Sequence, residues 1–137
     1  MSKIIVVDDD RIFRGLLQTV LQMEGYEATV EANSSRVLSL AAELEPDLIL
    51  MDVHVATGHT LDVLRALKAD VALQDVPVLM TSGADHSAEC LQAGADRFLL
   101  KPFRPSELLA AIADLVKQGG TNERTGQGEA ESSMAAC

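Results

Sequence analysis

Aromatic residues are scarce in this 137-residue chain. It has no tryptophan, one tyrosine and three phenylalanines, so its core must be built from Leu, Val, Ile and Ala. Cysteine is nearly absent too: Cys90 and Cys137 form neither a metal-ligand spacing nor a disulfide framework, which points to a reducing cytoplasm. Positive charge is short. Eleven Lys and Arg against 21 Asp and Glu leave a formal charge of −10, which argues against direct binding to DNA or to an anionic membrane, since both attract basic surfaces. Hydrophobic runs are short as well, far below the roughly 20 residues of a transmembrane helix. Met1-Ser2-Lys3 leads into only four apolar residues before three aspartates, so neither a signal peptide nor membrane insertion is expected. At 47% hydrophobic, the chain suits one globular domain with a sizeable core. Its acidic surplus suits a protein that holds a cation among carboxylates.

What is present is a series of short apolar runs, several ending in a polar residue. Leu48-Ile49-Leu50-Met51 runs straight into Asp52, the pattern of a strand buried on both faces of a parallel sheet. Asp is a poor strand residue, and ligands of open parallel sheets sit outside the carboxyl ends of the strands. Ile4-Ile5-Val6-Val7 predicts the first strand and ends in Asp8-Asp9-Asp10. Apolar spacing predicts a helix from about Arg11 to Glu24, stopped by Gly25. Tyr26 to Ala32 alternates like a strand nearer the sheet edge, and Asn33-Ser34-Ser35 can cap a helix over roughly 36–45, limited by Pro46. A third helix runs from Leu61 to about Ala69, followed by a loop over 70–75. Val76 to Met80 is the fourth strand, ending at Thr81-Ser82-Gly83; a short helix over 85–93 is closed by Gly94. Arg97 to Leu100 is the fifth strand, ending at Lys101-Pro102, and Pro105-Ser106-Glu107 opens a last helix that should end near Gln118-Gly119-Gly120. Residues 1–118 thus form the domain, and 119–137, almost without apolar residues, are expected to be a disordered tail.

Five strands alternating with five helices imply an α/β fold: a doubly wound five-stranded parallel sheet in three α/β/α layers with right-handed crossovers. The flavodoxin-like order 2-1-3-4-5 is one of two common choices. Under it, Asp8, Asp9 and Asp52 converge on one crevice, flanked by Thr81 and Lys101. Carboxylates that close repel one another and call for a cation, and Mg²⁺ is a hard ion that takes oxygen ligands. With Lys101 and the Thr81 hydroxyl, the crevice has the parts to stabilise a transferring phosphoryl group. Asp52 is then the nucleophile or acceptor, forming an acyl phosphate.

With these residues in view, the chain resembles the receiver domain of two-component response regulators, the CheY-like family, from about Lys3 to Lys117. Asp8-Asp9 is similar to the family's acidic pair, Asp52 to its phosphoacceptor, Thr81 to its switch hydroxyl and Phe98 to its switch aromatic. Lys101-Pro102-Phe103 is similar to its lysine-proline segment, and residues 94–103 follow the family pattern almost letter for letter. The resemblance implies that Asp9, Asp52 and the His54 backbone carbonyl ligate Mg²⁺, with Asp8 acting mainly through water. It implies that Asp52 takes phosphorus from a phosphohistidine of a sensor histidine kinase or histidine phosphotransfer protein. Lys101 and Thr81 would then hold the phosphoryl oxygens, and Phe98 would move inward as Thr81 is drawn in. A cis Lys101-Pro102 bond follows by the same analogy. The domain would be a signalling phosphoacceptor rather than an enzyme, in the cytoplasm, acting on an unknown downstream protein as a stand-alone regulator, a relay shuttle or a phosphate sink.

Some positions depart from the family pattern. Ala56 and Thr60 stand where a proline and a glycine are common, which predicts a looser loop. Ser82 is bulkier than the usual small residue, Phe98 lacks the hydroxyl of the commoner tyrosine, and the segment from Thr81 to Lys101 is slightly short. Ile12 and Leu16 lie at one edge of a wide apolar arc on the first helix, and we expect them to help form a kinase docking patch. Cys90 is expected to be a buried small residue of the fourth helix. One alternative is a phosphatase of the haloacid dehalogenase type using Asp8 and Asp10, which leaves Asp52 unexplained and lacks that superfamily's later acidic pair. A second is a receiver fold that no longer uses phosphorylation, against which the full set Asp8, Asp9, Asp52, Thr81 and Lys101 speaks. A transition-metal site at His54 and His59 lacks an obvious third nitrogen or sulfur ligand.

Overall fold

The computed structural model describes residues 2–55 and 58–125, with 118–125 as backbone only. In chain order the elements are β1 (Lys3–Val7), α1 (Arg11–Met23), β2 (Glu27–Glu31), a 3₁₀ turn (Ser34–Arg36), α2 (Val37–Leu44) and β3 (Leu48–Asp52). The small strands β4 (His54–Val55) and β5 (Gly58–His59) follow, then α3 (Leu61–Ala69), β6 (Val78–Ser82), α4 (Ser87–Gln92), β7 (Arg97–Leu100) and α5 (Pro105–Thr125). The main sheet has the order β2-β1-β3-β6-β7, and every pairing in it is parallel. Counting only the long strands, this is the expected 2-1-3-4-5.

Side-chain alternation divides the core in two. Ile4 and Val6 of β1, Leu48 and Leu50 of β3 and Leu79 of β6 pack on one face, with Leu17 and Leu21 of α1 and Leu108, Ala111, Ile112 and Leu115 of α5. Ile5, Val7, Ile49, Met51, Val78 and Met80 occupy the other face, with Val37, Ala41, Leu64, Leu67 and Cys90 of α2, α3 and α4. Because both faces are covered, the central strands β3 and β6, and β1 beyond Lys3, are continuous apolar runs until their carboxyl ends. Cys90 is fully buried, as its apolar surroundings suggested. Burial, followed by the nearby Glu89 charge, pushes its thiol up to about 11.

Element ends follow local chemistry. The Asp10 side chain accepts the backbone N–H groups of Ile12 and Phe13, both at 3.1 Å, and so caps α1. Gly25 terminates that helix with φ of 92°, the left-handed region that favours glycine. Gly94 (φ 110°) is doubly constrained, since a Cβ there would lie 2.8 Å from Cγ of Lys68. That lysine reaches across to Asp96 at 2.9 Å.

The structure differs from the sequence expectations in four places. The fourth strand begins at Val78 rather than Val76 and runs on to Ser82, because its ladder with β3 is Ile49–Val78 to Asp52–Thr81. The second helix is entered through a 3₁₀ turn in which Asn33 accepts the Ser35 N–H. His54–Val55 and Gly58–His59 pair as two short antiparallel strands where a plain loop was expected. Helix α5 continues to Thr125, past the pair Gly119-Gly120. Each glycine costs only about 1 kcal/mol within a helix already propagating, too little to force a stop. The rest of the expected tail, 126–137, lies outside the described residues.

The cap offers a direct test. Asp10→Ala should lower unfolding free energy by about 1 kcal/mol in urea titrations.

Candidate functional site

Sheet register brings the site together. Val7 pairs with Met51, which sets Asp8 beside Asp52 one residue further on, and Asp52 pairs directly with Thr81. Ser82 pairs with Leu100, and the Lys101 N–H donates to the Ser82 carbonyl at 2.8 Å, so Lys101 stands beyond the end of β7 on the same rim. Alternation also sets their facing. Asp8 continues the Ile4-Val6 row, Asp52 the Leu48-Leu50 row, Thr81 follows Leu79 and Lys101 follows Leu99, all of them rows of the α1/α5 side.

Lys101 Nζ donates to Asp8 Oδ2 at 3.0 Å and to Asp52 Oδ2 at 2.5 Å. The remaining oxygens are held by the backbone: Asp8 Oδ1 accepts the Asp10 N–H and Asp52 Oδ1 accepts the His54 N–H, each at 2.9 Å. Arg14 donates to the Asp8 carbonyl at 2.9 Å. Both acids are nearly inaccessible, with Asp8 at 3% and Asp52 at 8% exposure. Burial is the largest influence on Asp8 and raises its pKa above 3.8; the Asp10 N–H and Lys101 pull the other way, and the Asp52 charge adds to the rise. Burial opposes the charge of Lys101, but its hydrogen bonds to Asp52 and Asp8 and their charges prevail, leaving its pKa above 10.5. Thr81 is 2% exposed, and its hydroxyl has no hydrogen-bond partner among the described residues.

Not every expected member joins this group. Asp9 is exposed, and among the described residues no three acidic, imidazole or thiol groups stand close enough to enclose a metal ion. The expected trio of carboxylates is instead a buried pair bridged by Lys101. Phe98 pairs in register with Met80 and packs with the α2–α4 core, on the opposite face from Thr81. Ile12 (80%) and Leu16 (60%) are exposed on α1.

Two contributors escaped the sequence reading. Thr60 is fully buried, and its Oγ1 lies 2.6 Å from the Asp52 carbonyl and 3.0 Å from that of Val53. Its own N–H donates to Val53 at 2.9 Å, so the expected looseness does not extend to Thr60; Ala56 lies outside the described residues. Phe13 lies beneath Lys101, with Nζ 4.3 Å from the ring centroid, and meets Phe103 edge-to-face at 5.9 Å. No periodic signal marks a lone threonine in a loop, and Phe13 looked like ordinary helix core. The Lys101-Pro102 bond is cis, as expected.

The profile of the response regulator receiver domain matches residues 4–113. The chain belongs to this receiver family. The receiver is 36% identical over 114 residues to the DNA-binding response regulator MtrA of Mycolicibacterium smegmatis, covering 81% of this chain and 49% of that one. It thus spans about half the length of the curated relatives it matches. Among solved structures it is similar to the chemotaxis response regulator CheY4 of Vibrio cholerae, with TM-score 0.78 and 27% identity over 84% of this chain and 98% of that one. It is also similar to the receiver domain of sensor histidine kinase PA1611 from Pseudomonas aeruginosa, with TM-score 0.78 and 25% identity over 85% and 98% of the two chains. That structure has a magnesium ion coordinated in its active-site cleft. No helix among the described residues of this receiver is long and apolar enough to cross a membrane.

The raised Asp8 pKa has a definite sign. Between 3.8 and its higher folded value the native state binds more protons than the unfolded chain, so stability falls as pH rises through that window. Ionised Asp8 therefore destabilises the fold at neutral pH. Asp8→Asn should be more stable than the parent in urea at pH 7, and the gain should vanish below pH 3.8; a loss of stability at pH 7 would contradict the assignment.

Proposed function

We propose that this receiver takes a phosphoryl group onto Asp52 from the phosphohistidine of a sensor histidine kinase or a histidine phosphotransfer protein, in the cytoplasm, and acts by presenting an altered surface to another protein. One observation carries the reading: Asp52 Oδ2 touches Lys101 Nζ at 2.5 Å on the same rim as the buried hydroxyl of Thr81, which has no hydrogen-bond partner among the described residues. This contact supports the reading of Asp52 as nucleophile with Lys101 as the cation beside it, and the register that pairs Thr81 with Asp52 supports Thr81 as a further donor. When Asp52 carries phosphorus, Lys101 exchanges its carboxylate contact for a phosphoryl oxygen and Thr81 gains a partner.

The donor set suits magnesium. Asp8 and Asp52 together carry two negative charges against the single ammonium of Lys101, and their oxygens are the hard ligands this ion takes. Asp52, Asp9 and the His54 backbone carbonyl would hold it, with Asp8 acting through water. The ion supplies neutralisation of the charge that collects on the transferring group. Phe98, half-buried at the fourth-helix side, would report occupancy of the site to the output surface by shifting between two packings. Ile12 and Leu16 would form part of the docking patch for the kinase.

A stand-alone regulator, a shuttle and a phosphate sink all use this chemistry. The phosphatase alternative is disfavoured by Asp10, whose carboxylate is engaged in capping α1.

Incubation with acetyl phosphate and Mg²⁺ should add one hydroxylamine-labile phosphoryl group, absent in Asp52→Asn, and Lys101→Ala should slow labelling about 10²- to 10³-fold. Labelling at Asp8 with turnover would favour the phosphatase instead. Leu16→Asp should slow transfer from the cognate kinase while leaving acetyl phosphate labelling unchanged; equal transfer rates would remove the docking assignment.

A further inference from the structure

All three histidines of the chain meet at one place on the surface. The His54 ring lies edge-to-face against His59, with centroids 4.4 Å apart, and against His86 at 5.2 Å. We propose that His54, His59 and His86 form a binding site for a transition-metal cation, Zn²⁺, separate from the acceptor crevice. Sequence spacing brought only His54 and His59 near each other; the fold supplies the third nitrogen. The inference stands on these side chains alone and does not depend on phosphorylation of Asp52.

Each ring is placed by its own device. His54 and His59 are direct partners across the antiparallel pair β4 and β5, a relation that sets two side chains on one face with Cβ atoms about 4.5–5.5 Å apart. His86 comes from the other side, immediately before α4, and its Nδ1 lies 2.6 Å from Glu89 Oε1. An ionised carboxylate can only accept, so Nδ1 carries the proton and the neutral ring keeps its lone pair at Nε2. A carboxylate on the far nitrogen is the common support of a metal-bound histidine, because it fixes the tautomer and the ring orientation and makes the ligand more basic. As they stand, the rings pack on one another and do not enclose an ion. His54 and His59 are exposed, so their rings can turn about χ1 and χ2 toward a shared ion without entering the core.

The donor set decides the class of ion. Imidazole nitrogens suit zinc, whereas Mg²⁺ takes oxygen ligands. Three protein ligands leave the fourth tetrahedral position of zinc to water. A dication also reduces the formal charge of −10. His54 follows β3 and His86 follows β6, so an ion held here would tie together the segments beyond the two central strands.

Calorimetric titration of the full chain with ZnCl₂ near neutral pH tests the site, with Mg²⁺ in excess and Cys137→Ser as background to remove the terminal thiol as a competing ligand. One zinc ion per chain is expected. Glu89→Gln should weaken its binding about tenfold, and His59→Ala and His86→Ala should each weaken it by more than that. His59→Asn, which keeps a polar side chain on the exposed strand, should lose zinc as His59→Ala does, with far-UV circular dichroism unchanged. No zinc bound by the parent, or an affinity unaltered in the histidine variants, would overturn the site.

Discussion

Two carboxylates drawn into the mouth of a parallel sheet repel each other and lose the water that would otherwise solvate them, and in this receiver the ammonium of Lys101 stands between them. It contacts Asp8 and Asp52 at once and rests on the face of Phe13. Such an arrangement is weak evidence for stability, since desolvation of buried ions offsets much of their attraction. Its value is placement. One side chain fixes the relative position of three strand ends, because β1, β3 and β7 each contribute one member of the triad. Burial still dominates at Asp8 and opposes its charge, and the single ammonium of Lys101 cannot balance both carboxylates when both are ionised. A cation or a rearranged lysine can relieve that imbalance.

Asp52 is also gripped from behind. The Asp52 carbonyl faces the Thr60 hydroxyl, its Oδ1 takes the His54 N–H, and the Val53 N–H donates to the Thr81 carbonyl at 2.9 Å. Backbone and one carboxylate oxygen are thereby held, and only Oδ2 is turned toward Lys101. The same Thr60 contacts tie the residue after β5 to the residues just before β4. A threonine does here, through its side chain, what a tight glycine turn would do through backbone freedom.

Much of this was legible in the sequence because it depends on patterns that repeat. The strands announced themselves as apolar runs ending in Asp8, Asp52, Thr81 and Lys101, and alternation with helices implied a parallel sheet, for which the order 2-1-3-4-5 is one of two common choices. What escaped depends on single contacts. The two-residue shift of β6 is set by its ladder with β3 rather than by Val76 and Pro77 themselves. Thr60 and Asp10 act through one or two hydrogen bonds each, and such bonds leave no period. Phe13 belongs to a helix arc that looked like core, and its partial exposure and its cation are visible only in three dimensions. The resemblance makes Asp9 the direct ligand and Asp8 the more distant one, yet alternation commits Asp8 to the buried rim and leaves Asp9 in solvent.

That same alternation makes the site intolerant of slippage. Removing one residue between Leu48 and Asp52 would carry the carboxyl to the α3 side of the sheet and turn Leu50 toward the wrong helices. Removing two would restore its facing but withdraw it by about 6.6 Å, out of reach of Lys101. The length of the central strand therefore behaves as a ruler that admits no other reading.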